Sequence, residues 1–225
     1  LTASQVVASK LVRTDADPTD PAAPDTTPVE AWTLDTSGAW LSPNGDNVND
    51  GFSVAARFSE SAAATLRIRN KAGKTVKKLS STGEITRLAW NLKTATGALV
   101  PDGAYTWSLR VVDAWANKAL TRRGTFTVDG TAPVSRAMPV ATAGDNGWFV
   151  SPVAMTLTSK DALSGVRSIA WRIDGGTTAG YDGPVRITGD GVHTLEYRAT
   201  DKAGVREAWK SVELRIDTRA PVVTL

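Results

Sequence analysis

GAYTWSLRVVDAWANKA (103–119) and GVHTLEYRATDKAGVRE (191–207) carry the pattern that decides the fold. Set one above the other, they align Gly103 with Gly191, Thr106 with Thr194, Arg110 with Arg198 and Asp113 with Asp201, each pair 88 residues apart. Within each stretch the period is two. Tyr105, Trp107, Leu109 and Val111 fall on one face, and Thr106, Ser108 and Arg110 on the other. Leu195, Tyr197 and Ala199 likewise alternate with Thr194, Glu196 and Arg198. Successive strand side chains point to opposite faces, so this alternation predicts half-buried β-strands.

Working outward, the same period recurs in Leu66 and Ile68 against Thr65, Arg67 and Arg69. Turn residues separate the runs: Asn44-Gly45-Asp46, Asn49-Asp50-Gly51, Pro101-Asp102-Gly103, Asp145-Asn146-Gly147, Asp174-Gly175-Gly176 and Asp190-Gly191. Each supplies a residue that tolerates positive φ or has a preset turn geometry. No stretch keeps a helical period over three turns. The reading is all-β: tandem Ig-like or fibronectin-III-like β-sandwiches joined by short linkers.

The repeat also sets the boundaries. The offset of 88 carries Val128-Asp129 onto Ile216-Asp217, and Ala132-Pro133 onto Ala220-Pro221. Asp-x-x-Ala-Pro therefore marks each junction, where proline removes a ladder donor and extends the residue before it. A second match, Leu41-Ser42-Pro43 with Val150-Ser151-Pro152, is offset by 109. The first module should thus be longer than the second by enough residues for an extra hairpin. We place the modules at 31–130 and 131–218, with a further repeat opening at 219–225. Residues 14–30, with Pro18, Pro21, Pro24 and Pro28 among Asp, Thr and Ala, read as a semi-rigid linker. Residues 1–13 read as the end of an upstream module or a docking strand. A chain opening at Leu1 and closing on an apparent strand start is expected to be a fragment, with any export signal or anchor outside it.

Composition narrows the chemistry. The 225 residues contain no Cys and one His, which excludes thiolate nucleophiles, Cys-ligated metals and multi-histidine sites within one chain. No run of about 18 apolar residues spans a membrane. Net charge is +3, although residues 1–30 carry −3.

The first module resembles a known group. VPDGAYTWSLRVVDAWANK, preceded by TRLAWNLKTATGAL, is similar to the Ig-like domain of the flagellar hook-capping protein, which recurs in secreted bacterial proteins. LSPNGDNVNDGF (41–52) resembles the motif opening the same fold in bacterial surface and gliding-motility modules, with Asn47 in place of the usual Gly. GWFVSP (147–152), SGVRSIAWRIDGG (164–176) and GDGVHTLEYRATDKAG (189–204) are similar to bacterial Ig-like repeats attached to extracellular hydrolases, peptidases and surface proteins. The resemblance implies an extracellular or cell-surface bacterial setting and a non-catalytic role. The expected function is an accessory or stalk region that spaces another module of the same polypeptide. The alternative is a carbohydrate- or cell-wall-polymer-binding module.

Four candidate sites come from the residues. Asn44, Asp46, Asn49 and Asp50 offer four oxygen-bearing side chains within seven residues, a candidate calcium loop. The same residues also suit a turn in which Asn and Asp bond their own backbone. Asp113, Asn117, Asp201 and Asp217 lie near strand ends, where tandem sandwiches can share a cation or simply need turn residues. Trp40, Trp115, Trp148 and Trp209 are candidates for a carbohydrate platform, against packing onto a loop or neighbouring module, while Trp90, Trp107 and Trp171 read as core. Arg57, Arg67, Arg69, Lys71, Lys74, Lys77 and Lys78 form a basic cluster that suits an anionic polymer or a solvated protective edge. His193 is the only imidazole and reads as a half-buried strand residue; no Gly-x-Ser-x-Gly elbow accompanies it. Nucleic acid and nucleotides find no recognition motif.

Overall fold

A computed structural model describes residues 25–220 and Val222. The expectations for 1–13, for most of the linker 14–30 and for most of 219–225 lie outside the described residues. The described chain forms fourteen strands and one short 3-10 turn, with no α-helix among the described residues.

The first sandwich contains β1 (Ala31–Thr36), β2 (Trp40–Leu41), β3 (Phe52–Asn70), β4 (Thr75–Trp90), β5 (Gly103–Asp113) and β6 (Leu120–Val128). Hydrogen bonds order them β1-β3-β5-β6-β2, with β4 also on β3. The long strands β3 and β4 supply both layers. Their register shifts between Arg57 and Ala62, opposite Gly83, whose φ of +140° needs a residue without Cβ. Before the shift, β3 pairs with β1 and the end of β4; after it, with β5 and the start of β4. Phe52, from the early half, stacks on Phe126 of β6 at 4.4 Å and lies 6.0 Å from Trp107 of β5. Neither β5 nor β6 pairs with that half of β3, so these contacts cross between the layers.

The second sandwich contains β7 (Val134–Val140), β8 (Trp148–Phe149), β9 (Val153–Lys160), β10 (Val166–Ile173), β11 (Ala179–Gly180), β12 (Val185–Ile187), β13 (Gly191–Asp201) and β14 (Lys210–Ile216). Its sheets are ordered β11-β10-β13-β14-β8 and β12-β9-β7. Val153, Met155, Leu157, Val185 and Ile187 from one sheet meet Leu195, Tyr197, Leu214 and Ile216 from the other. A buried carboxylate links the two sheets: Glu207 accepts from Ser135 N at 3.0 Å, Ser135 Oγ and Ala199 N at 3.2 Å, and pairs with Lys210. Burial pushes the Glu207 carboxyl up, but Lys210, Ser135 and Ala199 outweigh it and hold it below the ordinary value.

β5 and β13 have bounds 88 residues apart, and their predicted inward faces are buried. In each sandwich a two-residue strand runs parallel to the last strand: Leu41 beside Val128, and Phe149 beside Ile216. Leu41 is therefore equivalent to Phe149, an offset of 108, one residue short of the motif match. Strand side chains alternate, so this residue sets what faces inward: Leu41 is fully buried, whereas Val150 is 50% exposed. The extra length of the first module lies in β3 and β4, of 19 and 16 residues against 8 each in β9 and β10, and in a small Lys93–Leu99 bridge.

Phe52 is fully buried and touches two other rings, so truncation leaves a cavity that the opposite layer cannot fill. Phe52→Ala should lower unfolding stability by about 3–5 kcal/mol. Urea denaturation read by tryptophan fluorescence checks this.

Candidate functional site

Each sandwich receives the chain at the end where β5 or β13 finishes and releases it at the end where that strand begins. Val134 pairs with Lys160, beside Asp161, while Ile216 pairs with Gly191 at the far end. The two units are therefore arranged head to tail, and residues 129–133 run between them.

That junction is closely bonded. Asp102, in the Pro101-Asp102-Gly103 turn, accepts from Gly130 N at 2.8 Å and Thr131 Oγ1 at 2.5 Å, tying the linker to the first sandwich. Asp129 accepts from Thr131 N at 3.3 Å through Oδ1 and from Ser164 N of the second sandwich at 2.9 Å through Oδ2. Ser42 Oγ donates to Ala203 O at 2.8 Å across 161 residues of sequence, and Ala203 N donates to Ser164 Oγ at 3.3 Å. Ser42, Asp129, Ser164 and Ala203 are all buried.

Three carboxylates converge here. Asp129, Asp161 and Asp201 each bring an oxygen within 4.8 Å of the other two. Asp161 Oδ1 accepts from Leu163 N at 3.0 Å and Gly165 N at 2.7 Å. Asp201 Oδ1 accepts from Gly204 N at 2.7 Å and Val205 N at 2.8 Å, while its Oδ2 is buried with no partner. Burial raises the Asp201 carboxyl above its ordinary value; the Val205 and Gly204 amides oppose this, and the charges of Asp129 and Asp161 add to it.

Of the acidic set read from sequence, only Asp201 joins this cluster. Asp113 sits at the opposite end of the first sandwich, where Asn117 Nδ2 donates to Asp25 O at 2.9 Å. Asp217 is at the far end of the second, near Arg219. Sequence reasoning missed Asp161, which has no counterpart in the repeat. It treated Asp129 only as a junction marker, and the repetition of Asp-x-x-Ala-Pro was the available signal.

Asn44, Asp46, Asn49 and Asp50 share one exposed loop. Asp50 accepts from Gly45 N at 2.9 Å and Asn47 N at 2.7 Å, Asn44 Oδ1 from Asp46 N at 3.1 Å, and Asp46 Oδ1 from Val48 N at 2.8 Å. Positive φ at Gly45, Asn47 and Asn49 lets the backbone turn inward to make these bonds.

The four candidate platform tryptophans occupy separate places. Trp40 and Trp148 are repeat equivalents in different sandwiches, and the exposed Trp115 lies at the other end of β5 from Trp40. Trp209 is covered by the Arg172 and Arg198 guanidiniums, 4.7 and 4.4 Å from its ring centre. Of the three read as core, Trp90 and Trp107 are buried and Trp171 packs half-buried against the second core.

The basic cluster divides. Arg57 lies over Trp32, whereas Arg67, Arg69 and Lys78 join Arg110 and Arg123 around one shallow outward depression with Thr65, Ser108 and Thr121. Arg110 and Arg123 were not legible as members, because only the β3-β5-β6 pairing brings them alongside.

His193 is half-buried, with Nδ1 2.7 Å from Asp174 Oδ2 and Nε2 3.1 Å from Gly189 O. Both ring nitrogens face acceptors, which leaves no lone pair directed at a substrate. The hydrogen bond to Asp174 raises the imidazole above its ordinary 6.5; burial opposes this, and Gly189 O and the charge of Asp174 add to it. Asp174 is lowered by the same hydrogen bond and by Thr194 N.

Residues 36–128 match the family described as CHU_C, type IX secretion signal domain. A secretion-signal domain is a non-catalytic domain type, and the protein is secreted, extracellular or at the cell surface. The match agrees with the expected extracellular Ig-like setting; it does not extend to the hook-capping likeness. Among solved structures, the fibronectin(III)-like modules of Clostridium thermocellum CbhA are similar at 14% identity and TM-score 0.39, over 88% of this chain and 98% of that one. A tetra-tandem repeat from the extending region of a large adhesion protein is similar at 16% identity and TM-score 0.32, over 84% of this chain and 50% of that one. No curated protein sequence matches the chain. No described helix is long and apolar enough to cross a membrane.

The His193–Asp174 pair has a definite pH signature. The raised imidazole contributes stability that is complete below about pH 6.5 and lost as pH rises through its folded value. The lowered carboxyl contributes stability present above about pH 4 and lost as pH falls through its folded value. Melting temperature should therefore fall as pH rises from about 6.5 through the folded value of the imidazole. In Asp174→Asn, which keeps an acceptor for Thr194 but loses the charge, the fall should be smaller.

Proposed function

We propose that this chain is a non-catalytic spacer within a larger secreted bacterial surface protein, built of Ig-like modules at 31–130 and 131–218. The first module carries the secretion-signal match, and both together hold another module of the same polypeptide at a set distance. The supporting observation is the junction: Asp102 bonds the five-residue connector to the first sandwich, and hinge bending would break the buried Ser42–Ala203 and Ser164–Asp129 hydrogen bonds to the second. A spacer needs that stiffness; a flexible tether does not. The chain in solution should have a radius of gyration above the about 17 Å of a compact globule of this length. Small-angle scattering measures it, and a compact value would remove the reading.

A second reading rests on the basic face. Arg67 stands directly opposite Lys78 across the strand pair, an arrangement that costs stability unless something anionic sits over it. Arg110 and Arg123 lie on neighbouring strands, and the hydroxyls of Thr65, Ser108 and Thr121 offer hydrogen bonds between the charges. The chemistry suits an acidic polysaccharide. Retention on immobilised acidic polysaccharide should fall several-fold in Arg67→Glu with Arg110→Glu and weaken with salt, since screening acts over about 8 Å at physiological ionic strength. Equal retention of the variant would dismiss it.

A further inference from the structure

We propose that Asp129, Asp161 and Asp201 bind a calcium ion that fastens the two sandwiches together. The cluster draws Asp129 from the end of the first sandwich, and from the second Asp161 in the loop after β9 and Asp201 at the end of β13. Two of the three are fully buried, at 0% exposure. Buried carboxylates are stable only when paired, hydrogen-bonded or coordinated to metal. None of the three has an ion pair among the described residues, and Lys202, whose side chain lies over Gly165, forms none with them.

The hydrogen bonds account for some of the oxygens and leave others. Asp129 uses both, and Asp161 and Asp201 each use Oδ1. Asp201 Oδ2 is buried without any donor. In a folded protein such an atom calls for a partner not supplied by the chain. The backbone amides also hold the carboxylates facing one another, an arrangement that mutual repulsion alone would spread apart.

The donor set selects the ion. All donors are oxygens, the chain has no Cys, and its one His is engaged with Asp174, so zinc lacks its preferred ligands. Calcium contacts oxygen at about 2.3–2.6 Å, so oxygens across one ion lie about 4.6–5.2 Å apart. A spread within 4.8 Å therefore fits one calcium, with water or carbonyl oxygen completing its shell. Binding would join Asp129 to Asp161 and Asp201 and set the angle between the sandwiches outside the cell.

The site does not depend on the spacer reading: a bound ion with a compact scattering profile would leave this inference standing and remove that one. The test is isothermal titration of calcium into the chelator-stripped chain. One site of sub-millimolar affinity is expected, with melting raised by roughly 5 °C at calcium about fifty times Kd. Asp161→Asn keeps acceptors for Leu163 and Gly165 but loses the charge, and should weaken binding at least tenfold. Asp201→Asn should abolish it; if that variant does not fold, Asp161→Asn decides alone. Asp46→Asn with Asp50→Asn should bind like the parent. Absence of calcium binding, unchanged affinity in Asp161→Asn, or loss of binding in the Asp46 and Asp50 variant instead would overturn the assignment. Equal stabilisation by magnesium would overturn the choice of calcium.

Discussion

The buried carboxylate of Asp129 is the constraint on which the relation between the two sandwiches depends. A carboxylate removed from water needs hydrogen bonds made in place. Asp129 meets this by accepting Thr131 N from its own connector and Ser164 N from the following sandwich. Its position at the end of β6 is held in turn by the bond from Asp129 N to Leu41 O. Geometry at the junction is thus transmitted from a strand pair in one core to a loop in the other. Ser42, one residue past Leu41, adds the second cross-link to Ala203.

The same device appears at the upstream end of the first sandwich in a reduced form. Asp113 is the repeat equivalent of Asp201, and its Oδ1 accepts Asn117 N at 3.0 Å while its Oδ2 is buried without a partner. Among the described residues no further carboxylates gather there as Asp129 and Asp161 gather about Asp201. Through Oδ1 the strand-end aspartate forms the following turn in both modules. At the junction the upstream sandwich adds Asp129 to a pair, Asp161 and Asp201, that the second sandwich already holds. This separates local backbone chemistry, common to both repeats, from junction chemistry, which needs two modules.

The outward faces show a comparable division. In the second sandwich, charges are paired across strands: Arg172 with Glu196 at 2.7 Å, and Arg172 and Arg198 over Trp209. In the first, Arg67, Arg69, Lys78, Arg110 and Arg123 face solvent as one positive patch. Alternating charge neutralises an exposed sheet, whereas a single sign creates a field that extends over a Debye length. The two modules share a fold and differ in what they present.

The alternation of apolar residues, the turn residues and the 88-residue repeat were sufficient, by themselves, for the all-β class and for which faces of β5 and β13 point inward. Those are local properties, set by the strand period and by which residues tolerate a turn. The loop at Asn44–Asp50 was legible for the same reason, since its bonds span at most five residues. The tertiary structure alone decided the rest. It aligned Leu41 with Phe149 against the motif match, because register follows burial and not residue identity. It separated the tryptophans, because repeat equivalents lie a module apart. It gathered Arg110 and Arg123 beside Arg67, and Asp129 and Asp161 beside Asp201, because strand pairing and the head-to-tail junction join residues between 32 and 72 positions apart in the acidic cluster. No local period encodes a meeting at that separation; it follows only once two cores have formed and been placed end to end.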